Sequence, residues 1–187
     1  VAGPMEAAFP GGVQVTRVRS ARDMHDAVME RFDQADAVVH CAAVADYRPA
    51  HAADAKIKDS RSQLTIELVP NPNILRDCTA ARASRNQNAG ASHTGKEAPC
   101  NKQQVIVGFA LETDHFEQHA AEKLAKSGAD ALLLNAPVAS DSGFGHDCVR
   151  YTLVRPGMDV PEMKMGGKVD LAEEIGAFVI DKLRVSR

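Results

Sequence analysis

The chain has 187 residues, a formal net charge of −3, and a composition that is 44% hydrophobic and 25% charged. This length and composition are typical of one globular domain with a buried core. The negative charge argues against broad nucleic-acid binding, which requires a basic surface. No apolar run is long enough to span a bilayer, so no membrane partner is predicted either.

The four cysteines are Cys41, Cys78, Cys100 and Cys148. They form no C-x-x-C pair and have no histidine at a metal-ligand spacing, which argues against a zinc site. Their number and lack of pattern fit a reducing cytoplasm better than a disulfide scaffold. The N-terminus lacks a signal-peptide pattern and opens like the end of a strand, which predicts that earlier sequence is missing.

The first predicted helix has Ser20 as its N-cap, is supported by Asp23 three residues later, and runs to about Asp33. Alternating or continuous apolar runs predict seven strands, at Val13–Val18, Ala37–Val44, Leu64–Val69, Val105–Ala110, Ala131–Leu134, Val149–Val154 and Met163–Met165. Further helices are predicted at about His115–Ser127 and Leu171–Leu183, with a short one opened by Asn71-Pro72-Asn73. Strand–helix alternation predicts a doubly wound α/β domain with a Rossmann-like, mostly parallel sheet and helices on both faces.

Two segments stand out from this alternation. Ala37–Val44 is apolar throughout, which is typical of a central parallel strand covered on both faces. Arg82–Gln104 is polar and rich in Ser, Asn and Gly. It is interpreted as an exposed loop insertion, because its composition is that of disordered segments.

Polar residues follow three of the predicted parallel strands, and ligands of such sheets bind beyond the carboxyl ends of the strands. The three segments are Ala42–Arg48, Gly108–Thr113 and Asn135–Ser142. Asp46 could bind a hydroxyl, an amine or a metal ion, or it could cap a turn. Lys56 and Lys58 could bind phosphates or a reacting carboxylate, or they could be solvated surface lysines.

Five separated segments resemble phosphopantothenoylcysteine synthetase, the ligase of coenzyme A biosynthesis. They are Cys41–Pro49 (CAAVADYRP), Lys56–Lys58, Asn71–Leu75, Gly108–Thr113 and Glu122–Leu124. The likeness covers nearly the whole chain apart from Arg82–Gln104. It implies a single ligase domain over residues 1–187 that joins 4′-phosphopantothenate to L-cysteine through an acyl-cytidylate. The form of the Asp46 segment resembles the bacterial branch, which uses CTP, and Mg²⁺ is expected on the nucleotide phosphates.

The resemblance also implies roles for individual residues. Lys56 would contact the phosphates and assist acyl transfer, while Asp46 would hold the nucleotide through its sugar or its metal. Backbone groups of Ala42 and Ala43 would face the substrate carboxylate. The remaining nucleotide contacts implied are Pro72, Asn73, Ile74 and Leu75 around the base, Phe109 against it, and Lys123, Lys126 and Ser127 on one helix.

The sequence departs from the family pattern in three places. Ser127 stands where the family has a second helix lysine, for which Lys126 would substitute, and Asn73 stands where the family has an aspartate. The family's N-terminal Gly-rich turn and its N-x-S-S-G segment have no counterpart here, so the resemblance implies an N-terminally truncated ligase domain. Residues Phe144–Leu171 resemble the family's two-stranded arm, which implies a homodimer, and a flavin-dependent decarboxylase is an expected fusion or association partner.

Two alternatives remain open at this point. A nicotinamide-dependent reductase of Rossmann type would also have a buried strand ending in small residues, although the chain has no G-x-G-x-x-G turn and no Tyr-x-x-x-Lys pair. A fragment that binds nucleotide without turnover is the other alternative.

Overall fold

The computed structural model describes residues 1–53, 55–58, 63–91, 104–111, 116–136 and 148–185, with side chains omitted at 88–91 and 116–119. In chain order the elements are α1 (Ala21–Phe32), β1 (Ala37–His40), β2 (Tyr47–Pro49), β3 (Leu68–Pro70), α2 (Ile74–Ala91), β4 (Val105–Leu111), α3 (Phe116–Ser127), β5 (Ala131–Ala136), β6 (Cys148–Val154), β7 (Lys164–Gly167) and α4 (Lys168–Val185). The chain divides into two compact units. The first, called the ribbon unit, comprises residues 1–30 and 42–74, and the second, called the sheet unit, comprises residues 31–41 and 75–187.

The sheet unit is built on a five-stranded sheet with the strand order β1-β4-β5-β6-β7. β1, β4 and β5 are parallel, whereas β6 and β7 are antiparallel to their neighbours. The predicted Rossmann-like α/β class with a mostly parallel sheet is confirmed. The predicted two-stranded arm corresponds to β6 and β7, which extend the same sheet at one edge; residues 144–147 lie outside the described part of the chain.

The two faces of the sheet are covered by different helices. Val107 and Leu133 belong to a buried cluster that also contains Ile175 and Phe178 of α4. The neighbouring positions along the strands point the other way, and there Gly108 lies against Leu75 of α2. Helices therefore lie on both faces, as predicted, and the aliphatic core is continuous through β4, β5 and β6.

The start of α1 was predicted correctly. The Ser20 hydroxyl accepts a hydrogen bond from the Asp23 backbone amide at 3.1 Å, and the Asp23 carboxylate accepts one from the Ser20 amide at 3.1 Å. These reciprocal bonds satisfy two amides at the helix end that would otherwise have no partner. The bonds from Ser20 lower the pKa of the Asp23 carboxyl from its usual value.

The loop prediction for Arg82–Gln104 is wrong for its first ten residues, because α2 continues to Ala91. Residues 92–103 lie outside the described part, and Gln104 is buried. The inward stripe of α2 begins with Ile74 and Cys78 but continues with the half-buried arginines Arg82 and Arg85. An apolar pattern could not reveal this helix, because half of its inward face is made of guanidinium groups.

Three strand predictions need correction. β1 ends at His40 rather than at residue 44, and it lies at an edge of the described sheet rather than in its centre. The predicted strand at Val13–Val18 is wrong, since that segment forms only an isolated parallel bridge between Ala2 and Arg17. The third predicted strand is shorter than expected, covering Leu68–Pro70.

Candidate functional site

The carboxyl ends of β1, β4 and β5 meet at one edge of the sheet, because these three strands are parallel. The predicted common edge is therefore present. The segments that follow β4 and β5, at residues 112–115 and 137–147, lie outside the described residues. The candidate residues fall on both units, and each group is described by itself.

His40 ends β1 at this edge. Its partial burial lowers the pKa of the imidazole below the ordinary value, because the charged form is poorly solvated there. Burial therefore favours the neutral form of the ring. Cys41, Ala42 and Ala43 follow directly and are exposed, so their backbone groups are accessible to a ligand.

The main ordered feature of the ribbon unit is the antiparallel pairing of β2 with β3. Asp46 comes just before β2, and its carbonyl accepts a hydrogen bond from the Asn71 backbone amide at 2.7 Å. The Asn71 side-chain amide donates to the Ala45 carbonyl at 2.8 Å. These bonds connect the Asp46 segment to the start of Pro72-Asn73-Ile74, so the structure brings two of the predicted nucleotide-binding segments together.

Arg48 reinforces this connection from β2. Its guanidinium donates to the Asn71 side-chain oxygen at 3.1 Å and to the Pro70 carbonyl. The carboxylate of Asp46 itself is not used in these bonds and stays exposed. It is accordingly available to bind a ligand hydroxyl group or a cation.

Lys56 lies in the connection between β2 and β3, and its side chain is exposed, as are those of Ile57 and Lys58. Residues 54 and 59–62 of this connection are outside the described ranges. Between the described side chains of Lys56 and Asp46 the structure has no hydrogen bond or ion pair. The two residues belong to the same unit, but no polar contact between their side chains holds them together.

In the sheet unit, Leu75 lies against Gly108, where the absence of a side chain allows the close approach. Phe109 is half-buried and packs against the core cluster on the face that carries α4. The structure therefore places Leu75 and the Phe109 ring on opposite faces of the sheet. Any base contact by Phe109 would have to use the part of the ring that remains exposed at the strand end.

The predicted helix contacts lie at the C-terminal end of α3. The Ser127 hydroxyl donates to the Leu124 carbonyl at 2.9 Å and accepts from the Ala129 amide at 3.2 Å. The Ser127 carbonyl accepts from the Thr79 hydroxyl of α2 at 2.7 Å. Ser127 thus ends α3 and holds it beside the beginning of α2, near Leu75.

The two lysines of α3 are exposed. Lys126 forms an ion pair with Glu122 at 3.1 Å, one helical turn earlier. Such an exposed pair is easily exchanged for a ligand phosphate, because it contributes only about 0.3–0.5 kcal/mol. Lys123 and Ser127 are four residues apart and therefore share one side of the helix.

Sequence reasoning missed the polar contacts that fix the amino edge of the sheet. The guanidinium of Arg82 bonds the carboxylate of Asp130, which also accepts from the Ile106 amide at 2.7 Å. The same arginine donates to the carbonyls of Gly128 at 2.7 Å and Gln104 at 2.8 Å. Arg82 was assigned to a loop, so its sequence position gave no signal of this role.

A cleft of about 460 Å³ lies at the same amino edge, between α3 and the turn after β6. Ala121, Ala125, Gly128 and Met158 are among its lining residues. Arg155 also lines the cleft, and its guanidinium carbon lies over the Phe178 ring, 5.0 Å from the ring centroid. None of the predicted site residues lines this cleft, so its size does not make it the candidate site.

No group of three or more His, Cys, Asp or Glu side chains in the described part of the chain could hold a metal ion. None of the helices described combines the length and apolar character that a bilayer crossing requires.

Residues 1–183 match the family described as the DNA/pantothenate metabolism flavoprotein C-terminal domain. The chain is 31% identical over 186 residues to the coenzyme A biosynthesis bifunctional protein CoaBC of Vibrio parahaemolyticus, covering 98% of this chain and 41% of that protein. It is 32% identical over 163 residues to a cysteine/cysteine sulfinic acid decarboxylase from an unidentified prokaryote, covering 87% of this chain and 40% of that protein. The chain therefore spans about two fifths of the length of these curated relatives.

A solved structure of the C-terminal domain of a coenzyme A biosynthesis bifunctional protein CoaBC has the same fold. It superimposes with a TM-score of 0.68 at 27% identity, covering 97% of this chain and 74% of that one. The match extends over both units described above.

Proposed function

Because the chain belongs to the family of the DNA/pantothenate metabolism flavoprotein C-terminal domain, we propose that it is the ligase part of a coenzyme A biosynthesis enzyme. The reaction joins 4′-phosphopantothenate to L-cysteine at the expense of CTP. The observation that carries the proposal is the hydrogen bonding of the Asp46 segment to Asn71, the residue before the predicted base-framing segment. A nicotinamide-dependent reductase is not favoured by membership of this family.

The proposed reaction has two steps. The carboxylate of 4′-phosphopantothenate attacks the α-phosphorus of CTP, which forms an acyl-cytidylate and releases pyrophosphate. The amine of cysteine then attacks the acyl carbon, and CMP leaves with the electrons of the broken acyl–oxygen bond while the amine loses its proton. Both steps concentrate negative charge on phosphate oxygens, so they require cationic groups in the site.

Lys56 supplies such a cation in this proposal. Its side chain is exposed, so the ammonium is accessible to bound phosphates. Asp46 holds the nucleotide through its sugar or its Mg²⁺, and the backbone of Ala42 and Ala43 faces the carboxylate substrate. Mg²⁺, when bound, neutralises phosphate charge, and the exposed Asp46 carboxylate is an oxygen ligand of the kind that it prefers.

The base is held by the backbone of Pro72, Asn73, Ile74 and Leu75 in the proposed complex. Main-chain amides and carbonyls supply the donors and acceptors that read the edge of cytosine. Lys123, Lys126 and Ser127 face phosphate from α3, whose end is held beside α2 through Thr79. Phe109 contributes the exposed part of its ring.

We also propose that the chain forms a homodimer through β6 and β7. Met165 of β7 is 58% exposed and Val169 in the first turn of α4 is 70% exposed. A second copy would remove this apolar surface from water. A flavin-dependent decarboxylase is proposed as a fused or associated partner, since the relatives that match are more than twice as long as the matched region and one is named bifunctional.

The test is an assay of pyrophosphate release. The chain is incubated with 4′-phosphopantothenate, L-cysteine, Mg²⁺ and either CTP or ATP. Release that requires 4′-phosphopantothenate, that continues beyond a single turnover only when cysteine is present, and that is faster with CTP than with ATP supports the ligase. CTP binding without release would support the alternative of a binding fragment, and binding of NADP alone would refute the ligase assignment.

A further inference from the structure

Asn71 uses its backbone amide and both polar atoms of its side chain in hydrogen bonds to β2 and to the residues just before it. Its backbone amide donates to the Asp46 carbonyl at 2.7 Å, and its side-chain amide donates to the Ala45 carbonyl at 2.8 Å. Its side-chain oxygen accepts from Arg48 at 3.1 Å. The residue therefore bonds the chain on both sides of Asp46, the residue proposed to hold the nucleotide sugar.

Only an amide side chain fits these contacts. The side-chain nitrogen must donate to a carbonyl while the oxygen accepts from a guanidinium, and asparagine offers both functions in one planar group. Aspartate would lose the donor and would place a second acceptor against the Ala45 carbonyl. Arg48 also donates a hydrogen bond to the carbonyl of Pro70, the residue before Asn71, so the guanidinium contacts two consecutive residues of the segment.

We propose that Asn71, held by Arg48, is a positioning residue that sets the span between the nucleotide sugar and the base, and thereby favours a pyrimidine over a purine nucleotide. The proposal rests on the proposed function, because it assumes that Asp46 and Pro72–Leu75 bind one nucleotide. The base-framing segment begins at the very next residue, so its distance from Asp46 is fixed by the side-chain bonds of Asn71 to Ala45 and Arg48 together with its backbone bond to Asp46.

A fixed distance between the group that holds the sugar and the groups that frame the base would favour a base of one size. A purine is longer than a pyrimidine by one fused ring, so it needs a wider separation between the group that holds the sugar and the groups that frame the base. When the two side-chain bonds of Asn71 are removed, its backbone bond to Asp46 and the pairing of β2 with β3 remain. The two segments can then separate more easily, which weakens CTP binding but relieves the penalty on ATP. Selectivity of this kind is a difference between two affinities, and it can change without loss of the fold.

The experiment compares the affinities of CTP and ATP, each with Mg²⁺, by titration calorimetry on the intact chain. Asn71→Ala removes the two side-chain hydrogen bonds but keeps the backbone bond to Asp46. It is expected to weaken CTP binding about tenfold and to weaken ATP binding less. The ratio of the two dissociation constants should therefore shift toward ATP. Asn71→Asp should shift it in the same direction, and Arg48→Lys, a milder change that keeps one cationic donor, should shift it less.

Gln63→Ala is the matched control, since Gln63 is an exposed amide side chain in the same unit. It should leave both affinities unchanged. Far-ultraviolet circular dichroism checks that each variant is folded, and Arg48→Lys keeps the test available if Asn71→Ala does not fold. An unchanged ratio in folded variants, or equal weakening of CTP and ATP, would overturn the positioning role. If the unsubstituted chain binds neither nucleotide, the proposed function itself fails, which is a separate and recognisable result.

Discussion

Gly108 of β4 and Leu75 of α2 meet so closely that a side chain on the glycine would have no space. A Cβ atom on Gly108 would lie 2.6 Å from a methyl group of Leu75 and 2.6 Å from one of Leu132. This contact seats the first turn of α2 on the sheet.

Gly108→Ala should therefore destabilise the protein by about 1–3 kcal/mol through overpacking. Urea unfolding measures the change. Gly176→Ala is the matched control, because Gly176 lies in α4 and an added Cβ there meets nothing within 4 Å. That variant should be neutral or stabilise by up to about 1 kcal/mol, as alanine in a helix does. Equal behaviour of the two variants would contradict the close contact.

Asp130→Ala should cost about 2–4 kcal/mol, because it removes the only carboxylate that the mostly buried Arg82 pairs with among the described residues and takes an acceptor from the Ile106 amide. The side chains of Arg82 and Asp130 are only 17% and 19% exposed. In Glu122→Ala the lost pair is with Lys126, whose side chain is 77% exposed, so the cost should stay below about 0.5 kcal/mol. Chemical denaturation of both variants compares them directly, and similar losses would show that the Arg82–Asp130 pair is not structural.

Cys78 should resist thiol reagents at neutral pH, whereas Cys41 and Cys148 should react. Cys78 is buried and the other two are exposed. Burial is the main cause that raises the pKa of the Cys78 thiol from 9.0 to about 11, with a smaller contribution from the charge of Asp77. Alkylation followed by mass spectrometry of peptides measures the three rates. Rapid labelling of Cys78 in the folded chain would contradict its burial.

Because the pKa of the Cys78 thiol is raised in the folded chain, the stability of the protein should depend on pH. Between pH 9.0 and about 11 the unfolded chain loses the Cys78 proton while the folded chain keeps it. The unfolded state then binds fewer protons, so stability falls as pH rises through this window, by an amount on the order of 2 kcal/mol. Cys78→Ala should lose this part of the slope. Identical slopes in the two proteins between these pH values would refute the assignment.

Lys56→Ala should abolish pyrophosphate release while the thermal unfolding midpoint stays within about 2 °C of the unsubstituted value, because an exposed lysine contributes little to stability. Pyrophosphate release should be lost because the variant lacks the cation proposed to stabilise the phosphates. Lys168→Ala removes another exposed lysine, at the start of α4, and should leave the rate unchanged. Normal product formation by Lys56→Ala would remove the residue from its proposed role.

Met165→Glu should convert the proposed dimer to a monomer, since it places a charge in apolar surface that the second copy would cover. Sedimentation velocity measures the change. Thr65→Ala, an exposed position of the ribbon unit, is the control and should not alter the association state. A monomeric unsubstituted chain would refute the dimer outright.

The short-range features of this protein could be inferred from its sequence. The Ser20–Asp23 cap requires only two residues at the correct spacing, and the apolar runs of β4 and β5 could be recognised without knowing their partners. Gly108 interrupts one of these runs, and the structure uses it for the close contact with Leu75. A glycine within a buried run has few uses other than close approach.

The inward face of α2 was missed because its partners are distant in sequence. Arg82 binds Asp130, which is 48 residues away, and this pairing makes a guanidinium an inward-facing group. When only the local sequence is considered, an arginine such as Arg82 predicts an exposed position. Likewise, nothing in the run Ala37–Val44 shows that its strand ends at His40 and lies at an edge of the described sheet.

The sequence by itself determined the family and the alternation of strands and helices, and it predicted which residues could bind a nucleotide and a carboxylate. Those properties depend on side-chain chemistry and on spacing over a few residues. Only the tertiary structure decided which of the residues touch. It joined Asn71 to the Asp46 segment, 25 positions earlier in the chain, and it placed the Phe109 ring and Leu75 on opposite faces of the sheet. Contacts of this kind arise from the packing of the whole chain, so no local pattern contains them.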